Sequence, residues 1–269
     1  MILMIETFEM NLDKNIQHPT SNIAPEKNLN IYFTAGIPKL EDTTKVMKLI
    51  QNSGADFMEI GMPYSDPVAD GETIQKAHEL ALQNGMTISK LFAQLKSVKD
   101  EIIIPYVLMG YINPVLSFGF EKFCQECRDS GVYGLIIPDL PPFEFEKNYR
   151  KILEQYNLHF IFLVTPETAN DRIQYLDDLG SGFLYAVSSS STTGNTAKPV
   201  NNAEYLDRLA NLPLKNPVFV GFGIKDKTDF QTVTEKVSGG IIGTAFVKIL
   251  LNDKNWQKKG EDFIRSIIN

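Results

Sequence analysis

Cysteine is nearly absent from this chain of 269 residues, which carries only Cys124 and Cys127. One C-x-x-C with no second pair and no neighbouring histidine is a poor zinc or redox signal. Phe120, Phe123, Cys124 and Cys127 instead recur at helical spacing, so both thiols continue an apolar stripe. Histidine is scarce as well. His18, His78 and His159 form no ligand spacing, and no chemistry is assigned to them. Basic charge is outnumbered, with 26 Lys and Arg against 33 Asp and Glu and a net charge of −7, which argues against a broad basic face for nucleic acid. Long apolar runs are missing. The longest, Ile102 to Ile112, contains Pro105 and Gly110 and falls short of the roughly 18 residues that span a bilayer. The opening Met-Ile-Leu-Met-Ile has no basic region before it and Glu6 and Glu9 after it, unlike a secretory signal, so a cytoplasmic location is expected.

What is present is an ordinary globular composition, 43% hydrophobic and 22% charged, long enough for one large core. A short aliphatic run, a polar loop, a helix-period segment and a glycine keep recurring. The runs at 30–34, 57–61, 103–109, 134–137, 160–164, 183–187, 218–221 and 240–242 read as eight strands. Helical stretches lie between them, such as 42–53 and 172–179. Glycines at Ser53-Gly54, Ser130-Gly131, Leu179-Gly180 and Ser238-Gly239 read as left-handed helix ends. Strand–helix alternation over this length predicts right-handed crossovers and an α/β fold, a closed (β/α)8 TIM barrel with an N-terminal extension. An open doubly wound sheet loses its main support because the first strand leads into Ala35-Gly36-Ile37-Pro38 without a G-x-G-x-x-G turn. The expected division is an extension over residues 1–29 and a single barrel domain over 30–269.

Catalytic groups of such barrels sit where strands end. Glu59 places one carboxylate inside the apolar run Phe57-Met58-Glu59-Ile60-Gly61, on the same side as Phe57 and Gly61. Burial there raises a carboxyl pKa, which suits a group that must give and take a proton near neutrality; the competing reading is a buried glutamate held by hydrogen bonds as a packing element. In the following loop, Asp70 before Gly71 is either a helix N-cap or a second active-site acid, and spacing leaves both open. Gly221-Phe222-Gly223 and Gly239-Gly240-Ile241-Ile242-Gly243-Thr244-Ala245, after the seventh and eighth strands, predict a phosphate site of backbone amides and a helix N-terminus. The polar run Ser188 to Pro199 reads as a lid.

The run Met58-Glu59-Ile60-Gly61-Met62-Pro63-Tyr64-Ser65-Asp66-Pro67-Val68-Ala69-Asp70-Gly71 closely resembles the signature of the tryptophan synthase α chain family. The resemblance extends through Tyr32-Phe33-Thr34-Ala35-Gly36, Leu108-Met109-Gly110-Tyr111-Ile112-Asn113-Pro114, Ile137-Pro138-Asp139-Leu140-Pro141, Thr193-Gly194, Gly221-Phe222-Gly223 and Gly243-Thr244-Ala245. It implies retro-aldol cleavage of indole-3-glycerol phosphate to indole and glyceraldehyde 3-phosphate. It implies no cofactor on this chain, and an (αβ)2 complex in which indole passes to a β chain carrying pyridoxal phosphate. By resemblance Glu59 is the acid–base residue and Asp70 handles the indole N–H. Tyr185 lines the site and Thr193 engages Asp70. Gly194, Gly223, Gly243 and Thr244 hold phosphate, while Tyr32, Met109, Ile136 and Phe222 wall the indole pocket. The chain departs from the family at Ser191-Thr192, where Gly-Val is more frequent, and at Thr244, where serine is common.

Within enzymes the rivals are other phosphate-binding barrels. A metal-dependent epimerase calls for strand-end histidines and an imine-forming aldolase for a strand-end lysine, and neither is found. A non-catalytic subunit acting only on a β chain is the rival of another class, and retention of Glu59 and Asp70 argues against it.

Overall fold

The structure, a computed structural model, describes residues 27–188 and 202–269. Its strands are β1 (Asn28–Thr34), β2 (Phe57–Gly61), β3 (Tyr106–Met109), β4 (Gly134–Ile136), β5 (His159–Phe160), β6 (Leu163–Val164), β7 (Leu184–Ala186), β8 (Val218–Val220) and β9 (Gly239–Ile242). Every pairing is parallel, in the order β5-β4-β3-β2-β1-β9-β8-β7-β6. The two ends of that order, β5 and β6, are consecutive in the chain, so the sheet closes on itself as a (β/α)8 TIM barrel.

The expected fifth strand, 160–164, is therefore two short ones. Its first half pairs with β4 through Leu135 and Phe160, and its second with β7 through Leu163 and Tyr185. Neither pairing runs its whole length, so a single closing stave is recorded as nine strands for eight. The third strand is also shorter than expected. Pro105 lacks an N–H, and the N–H groups of Ile103 and Ile104 donate to the Gln51 side chain instead of a neighbouring strand, which leaves β3 to begin at Tyr106. At the other end, β1 starts at Asn28 rather than at residue 30. Of the four helix-ending glycines expected to be left-handed, Gly54 (φ 98°) and Gly131 (φ 83°) are so. Gly180 is extended, and Gly239 belongs to β9.

The lower barrel is filled by aromatic rings. Phe57 of β2 meets Tyr133, Phe183 and Phe219 edge to face, with centroids 5.6, 5.6 and 6.1 Å away. Because side chains alternate along a strand, Glu59 and Gly61 share the interior face with Phe57. Helices cover the outside by their apolar stripes. In Phe120–Ser130 the buried positions include Phe123, Cys124 and Cys127, and burial pushes the Cys124 thiol up to about 12, so these thiols are packing groups. Among the described residues no helix is long and apolar enough to cross a membrane.

Candidate active site

Above the aromatic layer, at the C-terminal ends of the strands, a cavity of about 530 Å³ opens. Tyr32, Ile74, Met109, Leu163, Tyr185 and Val187 give it apolar walls. Two glycines make the room. A Cβ on Gly61 would lie 2.2 Å from the Tyr32 hydroxyl, and one on Gly221 would lie 2.2 Å from the Tyr185 ring, so each tyrosine lies across a glycine of a neighbouring strand or strand end.

Asp70 stands on the cavity wall, and its surroundings decide between the two readings left open by its spacing. The helix Glu72–Gln83 begins after Gly71 with no side-chain cap. The Asp70 carboxylate instead accepts a hydrogen bond from the Tyr111 hydroxyl at 2.7 Å, and that hydroxyl accepts one from the Ala69 N–H at 3.1 Å. Asp70 is not the cap. Burial raises its pKa, and the Tyr111 bond opposes the rise. His78 completes the group. Its Nδ1 accepts from the Tyr64 N–H at 3.0 Å, so the neutral ring carries its proton on Nε2, 3.7 Å from Asp70 Oδ2. Burial lowers the His78 pKa to about 4, so near neutrality this is an uncharged neighbour and not an ion pair.

Glu59 is wholly buried and does not line the cavity. Its Oε1 accepts from Asn30 Nδ2 at 2.8 Å. Asn30 precedes Tyr32 on the same face of β1, nearer the N-terminal ends of the strands, so the carboxyl is turned into the barrel and away from the cavity. Burial pushes its pKa up to about 8 against the opposing Asn30 bond. The carboxyl is thus mostly protonated at pH 7. Tyr32 and Tyr185 lie between this layer and the cavity; both are neutral phenols, raised by burial and by nearby carboxylates.

On the other side, Gly243 and Thr244 line the cavity at the start of the helix Thr244–Asn252, which has no side-chain cap. The first N–H groups of that helix are free of intrahelical partners, a donor set for an anion. No lysine or arginine lines the cavity among the described residues. Of the other residues singled out in the sequence, Tyr32, Met109 and Tyr185 line the cavity. Ile136, Phe222 and Gly223 are not on its wall. The Phe222 ring stacks on Tyr205, at 6.1 Å and 16°. Thr193, Gly194 and most of the 188–199 run lie outside the described residues.

Three residues of the site went unread in the sequence. In the sequence Asn30 is only the start of a strand, and Tyr111 stands in a motif that gives it no role. His78 has no ligand spacing, although Ile74, Ala77, His78 and Ala81 follow helical spacing and place it on the buried face.

The tryptophan synthase α chain family model matches residues 20–266. The chain belongs to the tryptophan synthase α chain family. The match begins before Leu29, where the resemblance in sequence motifs starts. A relative from Christiangramia forsetii named tryptophan synthase α chain is 51% identical over 223 residues, covering 82% of this chain and 87% of that one. One from Flavobacterium psychrophilum is 46% identical over 226 residues, covering 84% and 89%. Among solved structures, the tryptophan synthase α subunit of Pyrococcus furiosus superposes with a TM-score of 0.82 at 31% identity, covering 91% of this chain and 98% of that one. A chain of ligand-free tryptophan synthase from M. tuberculosis does so at 0.78 and 29%, covering 90% and 92%. A tryptophan synthase α chain is a carbon–carbon lyase of tryptophan biosynthesis, cleaving indole-3-glycerol phosphate to indole and glyceraldehyde 3-phosphate.

Proposed function

We propose that Glu59 and Asp70 divide the acid–base work of this cleavage in the cavity of a single barrel domain. The observation that carries the reading is the contrast between two carboxyls in one barrel. Glu59 is buried and mostly protonated, while Asp70 stands on the wall with an oriented hydroxyl on its carboxylate. The Glu59 carboxyl gives its proton to C3 of the indole ring. Positive charge then spreads to the ring nitrogen, where Asp70 balances it. Glu59, now ionised, takes the proton of the hydroxyl on the carbon bonded to C3. A carbonyl forms there, the C–C bond breaks, and its electron pair returns to the ring. The carboxyl must swing from Asn30 toward the cavity to do this. Tyr32 and Met109, with Tyr185 beside them, face the ring, and the N–H groups at Gly243 and Thr244, with Gly223 nearby, serve the phosphate dianion. Ile136 and Phe222 are proposed as the outer support of the ring pocket.

No step of this scheme draws on a cofactor held by this chain. Family membership supports a β-chain partner; the (αβ)2 assembly, the handing over of indole and pyridoxal phosphate on the β chain are proposed with it, and a cytoplasmic setting belongs to the same reading. The test supplies indole-3-glycerol phosphate to the chain alone and with a β chain, and follows indole release. Wild type is expected to release indole, faster with β, and Glu59→Gln to be nearly inactive in both. Equal rates for wild type and Glu59→Gln would remove Glu59 from the chemistry.

A further inference from the structure

Among the described residues few side-chain polar atoms are buried without a partner, and two of them, Asn30 Oδ1 and Glu59 Oε2, belong to one hydrogen-bonded pair. We propose that Asn30 is the positioning residue for the catalytic proton: its amide pairs edge to edge with protonated Glu59, donating from Nδ2 to Oε1 and accepting from Oε2–H on Oδ1.

Both residues are completely buried, and the Nδ2–Oε1 bond of 2.8 Å already joins one corner of each planar group. With Glu59 ionised, the remaining corners are two acceptors with no donor between them. One proton on Oε2 makes one of them a donor and satisfies both. A primary amide suits this task because it presents a donor and an acceptor on one planar edge. A carboxylate in place of Asn30 would add a second acceptor, and an aliphatic chain would add nothing. The titratable groups facing Glu59 do not compete. Tyr32 of β1 has its hydroxyl 3.3 Å from Thr34 Oγ1, Tyr185 of β7 is a buried neutral phenol, and Asp70 lies beyond them. Among the described residues no cation acts on Glu59.

The inference rests on the role given to Glu59 above and extends it. In that scheme the carboxyl is protonated before the first transfer and again after the last, so one amide partner orients the same carboxyl at both ends of the cycle while burial keeps it loaded. Asn30 does not line the cavity, and its effect falls on turnover and not on substrate affinity.

The experiment is infrared difference spectroscopy of the substrate-free chain at pH 7, wild type against Glu59→Gln, with Asn30→Leu as the probe. A protonated-carboxyl C=O band that depends on Glu59 is expected, and Asn30→Leu is expected to move it to higher frequency as its hydrogen bonds are lost. Steady-state rates with indole-3-glycerol phosphate should show kcat down about tenfold, the size of one lost orienting hydrogen bond, with KM nearly unchanged. Asn30→Ser, which keeps one hydroxyl, serves if the leucine variant does not fold, and should shift the band less. Absence of the Glu59-dependent acid band in wild type, or a band that stays in place in both Asn30 variants, would overturn the pairing. If the band behaves as expected but Glu59→Gln keeps full activity, the pair stands and the proposed role of Glu59 in the cleavage falls.

Discussion

Within β2, Glu59 has exchanged water for one amide partner and the neighbourhood of buried rings, and its proton is held to a pH of about 8. Asp70, in the loop that leaves the same strand, keeps part of its surface open to the cavity, with the Tyr111 hydroxyl on one oxygen and the His78 ring beyond. One side-chain chemistry thus enters the same barrel under two sets of conditions. In both places removal from water raises the pKa and one donor opposes it, Asn30 in the strand and Tyr111 in the loop; the strand carboxyl is wholly buried and the loop carboxyl is not. Acid and base duties are separated by packing, with no difference in the acids themselves.

Neutralising the buried member should have the largest effect. Glu59→Gln is expected to lower indole release by about 10²- to 10⁴-fold, the range for a general acid–base group, measured under steady-state conditions. Removing the floor on which that burial depends comes next. Phe57→Ala takes a ring from contact with Tyr133, Phe183 and Phe219, and should cost about 3–5 kcal/mol of stability in urea unfolding. The open member is tested by Asp70→Asn, which keeps the shape, removes the charge and is expected to lower kcat by about 10²-fold in the same assay. Tyr111→Phe sharpens the contrast by withdrawing only the directed donor. Asp70 should then titrate higher still, and kcat/KM should fall by about tenfold, the size of one charge-assisted hydrogen bond.

The smallest effect is a slope. Glu59 binds its proton more tightly in the folded chain (about 8) than its ordinary value of 4.5, so its contribution to stability is complete below about pH 4.5 and is lost as pH rises toward 8. His78, lowered from 6.5 to about 4, has the opposite slope, but only below about pH 6.5. Between pH 6.5 and 8, the unfolding free energy of wild type from urea titrations should decline by at most about 1.4 kcal/mol per pH unit from Glu59, and this decline should be missing in Glu59→Gln.

The barrel and the strand face of Glu59 were legible because both rest on periodicity: alternation along β2 assigns Phe57, Glu59 and Gly61 to one side whatever they touch. Asp70 was legible only as a choice, because a loop has no period and its carboxylate finds Tyr111 across a gap in sequence that spacing does not encode. Asn30 was unreadable for the same reason, since its partner lies on the adjacent strand. His78 differs, for the helical stripe containing it is legible in the sequence even though no ligand pattern marks it. Ile136 and Phe222 are placed on the pocket wall by the resemblance alone; in this structure neither lines the cavity, and the Phe222 ring stacks on Tyr205.

The two glycines under the tyrosines set a limit on how this molecule can vary. The width of the mouth is fixed by atoms that were never there: a single methyl at either spot would tip a phenol into the space meant for a bicyclic guest. Variation at Gly61 or Gly221 would therefore act as a bung, narrowing what the barrel admits.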